Sequence, residues 1–235
     1  MKRFWEQARM TGLEDCFGIE LDGKPLRVPD GGVLRLPTAP LAQAIAAEWQ
    51  EAGGTKGGEM SYADVPLTRL AGTAQERIAP NPEPVIEELA RYAESDLLCY
   101  RATHPQPLVL RQACLWQPWL DWAASHLQAP LLVTEGIGHV TQPSASLARL
   151  AAAVARQDVH GLAALGILVP VYGSLVLALA VAEGALEAEA GYELSTLDER
   201  FQIDQWGWDR EAEDRIRKQA AEVAMAGRYL ALCTG

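Results

Sequence analysis

The rhythm of apolar and polar residues changes near residue 66. Over the first 37 residues the period is two. Phe17, Ile19 and Leu21 alternate with Gly18 and Glu20, Asp22-Gly23 is a hairpin signal, and Leu26 and Val28 resume the alternation. Val33, Leu34 and Leu36 predict a third strand after Gly31-Gly32. Thr38 then caps a helix whose apolar face carries Leu41, Ile45 and Trp49 and which stops at Gly53-Gly54.

From Pro66 onward the helical period dominates. Leu67, Leu70, Ala71 and Ala74 form one short face, and Asn81-Pro82 opens a helix with Ile86, Leu89, Ala90 and Ala93 inward. Leu108 to Leu127 is a long aromatic-rich helix with Pro118 inside it. Leu131 to Thr134 and Ile137 to Thr141 read as extended, and Ser146 to Gln157 as a helix. One helix is expected over Glu187 to Trp206, and a last one, capped by Asp209, runs to about Leu232. The pattern predicts an α+β protein with a small β-rich domain over residues 1–80 and a larger helical one over 81–235, the boundary falling near residues 76–84.

Gly161 to Ala182 holds 22 residues without a charge, enough to cross a bilayer as one helix. Pro170, Tyr172, Gly173 and Ser174 interrupt it at its middle, so two short buried helices joined by a turn are expected instead of a membrane span.

Charge narrows the partners. Twenty Lys and Arg against thirty-one Asp and Glu give a net −11, with no basic patch, which argues against nucleic acid. Glu183 to Asp214 holds eleven acids and two bases, so most of that charge sits in one segment, which reads either as a solvated helix face or as a docking surface for a basic partner. Cys16, Cys99, Cys114 and Cys233 show no CxxC pair, and no disulfide framework or structural metal is expected. The N-terminus lacks an apolar run behind Lys2-Arg3, which points to reduced cytoplasm.

Catalytic motifs are weak. Gly136-Ile137-Gly138 lacks the third glycine of a dinucleotide fingerprint, Gly173-Ser174 lacks the flanks of a nucleophile elbow, and His104, His126, His139 and His160 have neither metal-ligand spacing nor a local acid. Cys99, between Leu98 and Tyr100, reads as a small buried thiol. No catalytic, metal or cofactor site is expected.

The informative stretch is Leu197 to Ala212. On a helix Glu199, Ile203 and Trp206 share one stripe and Asp198, Phe201 and Gln205 the next, which interleaves carboxylates and aromatics on one surface. Gly207 ends that helix and leaves Trp208 at a corner before Asp209. This is the composition of a recognition surface, in which an aromatic supplies buried area and a carboxylate selects an Arg or Lys. An ordinary core-packed helix-turn-helix fits the same letters. A hydrolase pairing Asp204 with Glu199 or Asp198 is the alternative from another class, but carboxylates on one helix face make a surface and not a cleft.

Phe201-Gln202-Ile203-Asp204-Gln205-Trp206-Gly207, followed by Asp209 and Glu211, resembles the signature of the ATP synthase F(1) complex alpha-subunit assembly chaperone family. Six further ordered blocks resemble that family: Leu21 to Leu26, Ile45 to Trp49, Pro66 to Ala71, Asp96 to Arg101, Trp119 to Trp122 and Gly173 to Ala178. The family more often has Glu at the place of Asp204 and Thr at the place of Ser95. The resemblance implies a non-enzymatic chaperone that holds the newly made alpha subunit until the beta subunit replaces it, and that works in the bacterial cytoplasm or, as a processed chain, the mitochondrial matrix; a monomer that needs no cofactor is expected. The partner-binding residues it implies are Asp198, Glu199, Asp204, Gln205, Trp206, Trp208, Asp209 and Glu211.

Overall fold

The computed structural model describes residues 1–136, 138–206 and 210–234, with 206 and 210–212 described in backbone alone. The fold is α+β, with a three-stranded antiparallel sheet near the start of the chain and helices after it. Two compact units divide the chain. One takes Met1–Pro82, Val159–Ala164 and Arg228–Gly235; the other takes Glu83–Asp158 and Leu165–Gly227.

The first unit contains the sheet, formed by β1 (Ala8–Gly12), β2 (Phe17–Leu21) and β3 (Lys24–Pro25) in that order. Asp22 and Gly23 join β2 to β3 with φ of 50° and 77°, the pair of left-handed residues that a tight two-residue hairpin demands. Residues 33–36 do not form the continuous third strand that their alternation predicts. They pair back as isolated bridges, Arg27 with Val33 and Phe17 with Leu36, because Pro25 and Pro29 remove ladder donors from the segment they would run beside.

Helix α1 (Ala39–Glu51) starts where predicted, with the Thr38 hydroxyl accepting from the Leu41 amide, and it buries Leu41, Ala42, Ile45, Ala46 and Trp49. Its end is held by a residue the sequence does not advertise. Arg3 is buried, and its guanidinium donates to the carbonyls of Trp5, Glu6, Gln50, Ala52 and Gly54, placing a cation at the negative end of α1. Helix α2 (Pro66–Thr73) has no cap of its own, and Glu48 of α1 supplies one by accepting from the Leu67 and Thr68 amides. Burial holds the Glu48 carboxyl above the usual carboxylate range.

In the second unit, α3 (Glu83–Ala90) is followed by two 3-10 turns and β4 (Tyr100–Arg101), which pairs in parallel with β5 (Thr134–Glu135). Of the two extended runs expected after residue 130, Leu131 to Thr134 puts only Thr134 into a strand; residues 138–141 of the other form none, and Ile137 lies outside the described residues. Helix α4 (Gln106–His126) contains Pro118, and α5 (Ser144–Ala155) follows.

The uncharged run is two helices, α6 (Val159–Tyr172) and α7 (Leu175–Ala182), broken at Gly173, whose φ is 62°. Among the described residues no helix is long and apolar enough to cross a membrane. Helix α7 is apolar on every side and buried on every side, against α4, α5 and α8. Its first turn is capped twice: Ser174 Oγ accepts from the Leu177 amide, and the fully buried Asp96 accepts from the amides of Val176 and Leu98. Burial raises the Asp96 carboxyl above its ordinary value, against the pull of those bonds.

Glu187 to Trp206 is not one helix. It is α8 (Ala188–Ser195) and α9 (Leu197–Trp206), and the reason lies in two adjacent hydroxyls. Ser195 and Thr196 both donate to the Tyr192 carbonyl, bonds that compete with the backbone for that acceptor, and the chain turns at Thr196, whose φ of −98° and ψ of 15° are not helical. Helix α10 (Arg210–Thr234) closes the chain; the proposed cap Asp209 lies outside the described residues.

Candidate functional site

Helix α9 lies against α4 in the second unit. Leu197 and Phe201, one turn apart, point inward and are buried, which fixes the rotation of the helix and decides where each carboxylate goes. Asp198, Phe201 and Gln205 therefore do not form the outward row that the spacing suggests. Phe201 is in the core and Asp198 is half-buried beside α4; only Gln205 of the three is exposed.

Asp198 belongs to an internal network. It accepts a 2.8 Å hydrogen bond from Gln112 Nε2. Gln112 is buried, its Oε1 accepts from the Ala102 amide, and its backbone carbonyl accepts from Arg101, whose guanidinium also lies over the Trp116 ring. This arrangement ties α9, α4 and the strand β4 together, the work of a structural side chain.

Glu199 pairs with Arg215 of α10. Asp204 is on the open side, where its carboxylate is 3.4 Å from Arg111 of α4, and both side chains are more than half exposed, at 60% and 53%. Arg111 in turn sits over the ring of Phe201 at 5.5 Å. Gln202 and Gln205 are exposed next to Asp204, and Ile203 is half-buried. The side chains of Trp206 and Glu211, and the residues Trp208 and Asp209 entirely, lie outside the described residues.

Of the eight residues singled out in the sequence, the described part of the structure brings Asp204 and Gln205 to one exposed face, half-exposes Glu199, and assigns Asp198 to the fold. What sequence reasoning missed is the identity of the internal partners Arg111, Gln112 and Arg215. No spacing rule links them to α9, since they come from helices before and after it. Among the described residues no group of three His, Cys, Asp or Glu side chains is placed to hold a metal ion.

The blocks along the chain meet in the fold. Glu48, in the block Ile45 to Trp49, caps the block Pro66 to Ala71, and Asp96 caps the block Gly173 to Ala178. The model of the ATP12 chaperone protein family matches residues 2–124, more than half of the chain. The chain belongs to the ATP12 chaperone family. Its role is that of a chaperone in ATP synthase assembly.

Solved relatives share the whole architecture. The crystal structure of Atp12 from Paracoccus denitrificans is 41% identical, with a TM-score of 0.93 over 99% of this chain and 98% of that one. The Atu1473 protein of Agrobacterium tumefaciens is 36% identical, with a TM-score of 0.90 over 100% of this chain and 86% of that one. The mitochondrial protein atp12 of Schizosaccharomyces pombe is 24% identical over 99% of this chain and 82% of its own length.

Proposed function

We propose that this ATP12-family protein binds the unassembled alpha subunit of the F(1) sector, keeps it from aggregating and releases it to the beta subunit. The observation that carries the reading is the exposed face of α9, where Asp204 stands in the most acidic stretch of the chain with its carboxylate open to solvent. An orphan subunit exposes an apolar interface that aggregates unless covered, and a holder must bind it more weakly than the true partner does for exchange to run downhill. Asp204 and Gln205 make the first contact; Glu199, Trp206, Trp208, Asp209 and Glu211 extend it.

The role requires no catalysis and no cofactor. Asp198, Glu199 and Asp204 are engaged singly, by Gln112, Arg215 and Arg111, which supports a binding surface over a carboxylate pair working on a substrate. The protein acts as a monomer, in the bacterial cytoplasm or the mitochondrial matrix; its relatives include a bacterial protein and one named as mitochondrial.

The test is aggregation of purified alpha subunit, followed by light scattering, with and without an equimolar amount of this protein. Suppressed scattering that returns to a soluble alpha–beta complex on addition of beta is the expected result. Scattering unchanged by the protein at any ratio would falsify the reading.

A further inference from the structure

Helix α4 buries Leu108, Trp116 and Leu120, yet it also turns a polar residue inward and apolar ones outward. Gln112 is 1% exposed, while Leu110 and Leu115, on either side of it, are 59% and 43% exposed. An ordinary surface helix does the reverse. At helical spacing Leu110, Cys114, Pro118 and Trp122 follow one another every four residues, and Leu115 and Trp119 lie in the adjoining row. Cys114 and Pro118 are exposed, and the two indoles are half-buried, their rings 6.5 Å apart. The result is a continuous apolar face on one helix.

Its edges are charged. Asp121 is exposed on the same face, and Arg111 joins it to Asp204 of α9. The apolar face thus meets Asp204 at the exposed Arg111–Asp204 pair. We propose that the outward face of α4 is the apolar half of the client-binding surface, and that it takes an apolar patch of the unassembled alpha subunit rimmed by Lys or Arg. The inference rests on the client reading given above. A partner of that chemistry matches both parts: its apolar centre covers Leu110, Leu115 and the indoles, and its basic rim meets Asp121 and Asp204 in place of Arg111. Because the Arg111–Asp204 pair is exposed on both sides, giving it up costs little.

Cys114 is a probe already in place. It stands exposed in the middle of the face, Cys16 and Cys233 are half-buried, and Cys99 is buried with its thiol pushed up to about 12 by that burial. Wild-type protein is alkylated with iodoacetamide, alone and after isolation of its complex with purified alpha subunit, and each cysteine peptide is followed by mass spectrometry. The client should slow Cys114 by about tenfold or more, as burial of a reactive atom at an interface does, and leave Cys16 near its free rate. Equal Cys114 rates in free and complexed protein overturn the proposal.

The variant Leu110→Ser with Leu115→Ser is the second arm. It should melt with the wild type and bind the alpha subunit at least about tenfold more weakly. Wild-type affinity in a normally melting variant also overturns it, and if the variant melts early the alkylation result alone decides. Should wild-type protein form no complex at all, the client reading fails, and this inference with it.

Discussion

Arg111 Nη1 lies 3.4 Å from Asp204 Oδ2, a pair formed between helices 93 residues apart in sequence and open to water on both sides. Exposed pairs of this kind contribute about 0–1 kcal/mol. The pair therefore does little for the fold, and each of its members is available to another partner.

Asp204→Lys should melt within about 1 kcal/mol of the wild type, yet lose a few kcal/mol of alpha-subunit binding, because it sets like charges together. Arg111→Gln is the counterpart. With the internal cation gone, Asp204 meets a basic client without competition, and binding should hold or tighten at low salt. Thermal melting together with binding at low and high ionic strength checks both; undiminished protection by a normally folded Asp204→Lys removes Asp204 from the site.

Gln112→Ala should behave in the opposite way. It strips the acceptor from the Ala102 amide and the donor from Asp198, and leaving such groups unpaired costs roughly 1–3 kcal/mol each. Denaturant unfolding should show the loss, and Asp198→Ala should share part of it without adding in full, since the two side chains act as one unit. Full additivity of the pair would show that they are independent.

Asp96 gives a pH signature. Its folded-state carboxyl is raised, so the native protein holds that proton more tightly than the unfolded chain. Stability from this group is present at low pH and falls as pH rises from the ordinary carboxylate value, near ~4, through the raised one. Glu48, also raised by burial, works in the same direction. Asp96→Asn removes the titration but turns an amide N–H toward the donors of α7. It should lower stability at acid pH and flatten its decline above pH ~4. Unfolding curves from pH 4 to 8 test this, and a slope equal to that of the wild type contradicts it.

Leu177→Asp should abolish cooperative folding. The side chain is fully buried in α7, and an unpaired charge there costs several kcal/mol. Wild-type-like melting of this variant would mean that α7 is not packed as described.

Much of this architecture was legible because local chemistry agrees with the fold. Thr38 announces α1, Asp22-Gly23 announces the hairpin, and the interruption at Gly173-Ser174 divides the uncharged run as the structure does. The failures share one cause. The break at Thr196 depends on where two hydroxyls find an acceptor, and the burial of Phe201 depends on which side of α9 meets α4. Helical period shows that residues share a stripe, but not which stripe faces in. For the same reason Arg3 looked like one of two N-terminal bases, and only the carbonyls gathered around it reveal an internal cation.

The turn at Gly173 also sets what the uncharged run can be. Helices of 14 and 8 residues with a left-handed glycine between them are each shorter than the roughly 20 residues that span a bilayer. Straightened into a single rod, the same letters would be long enough to cross one. The bend thus cuts one membrane-length segment into two pieces of the length a globular core takes.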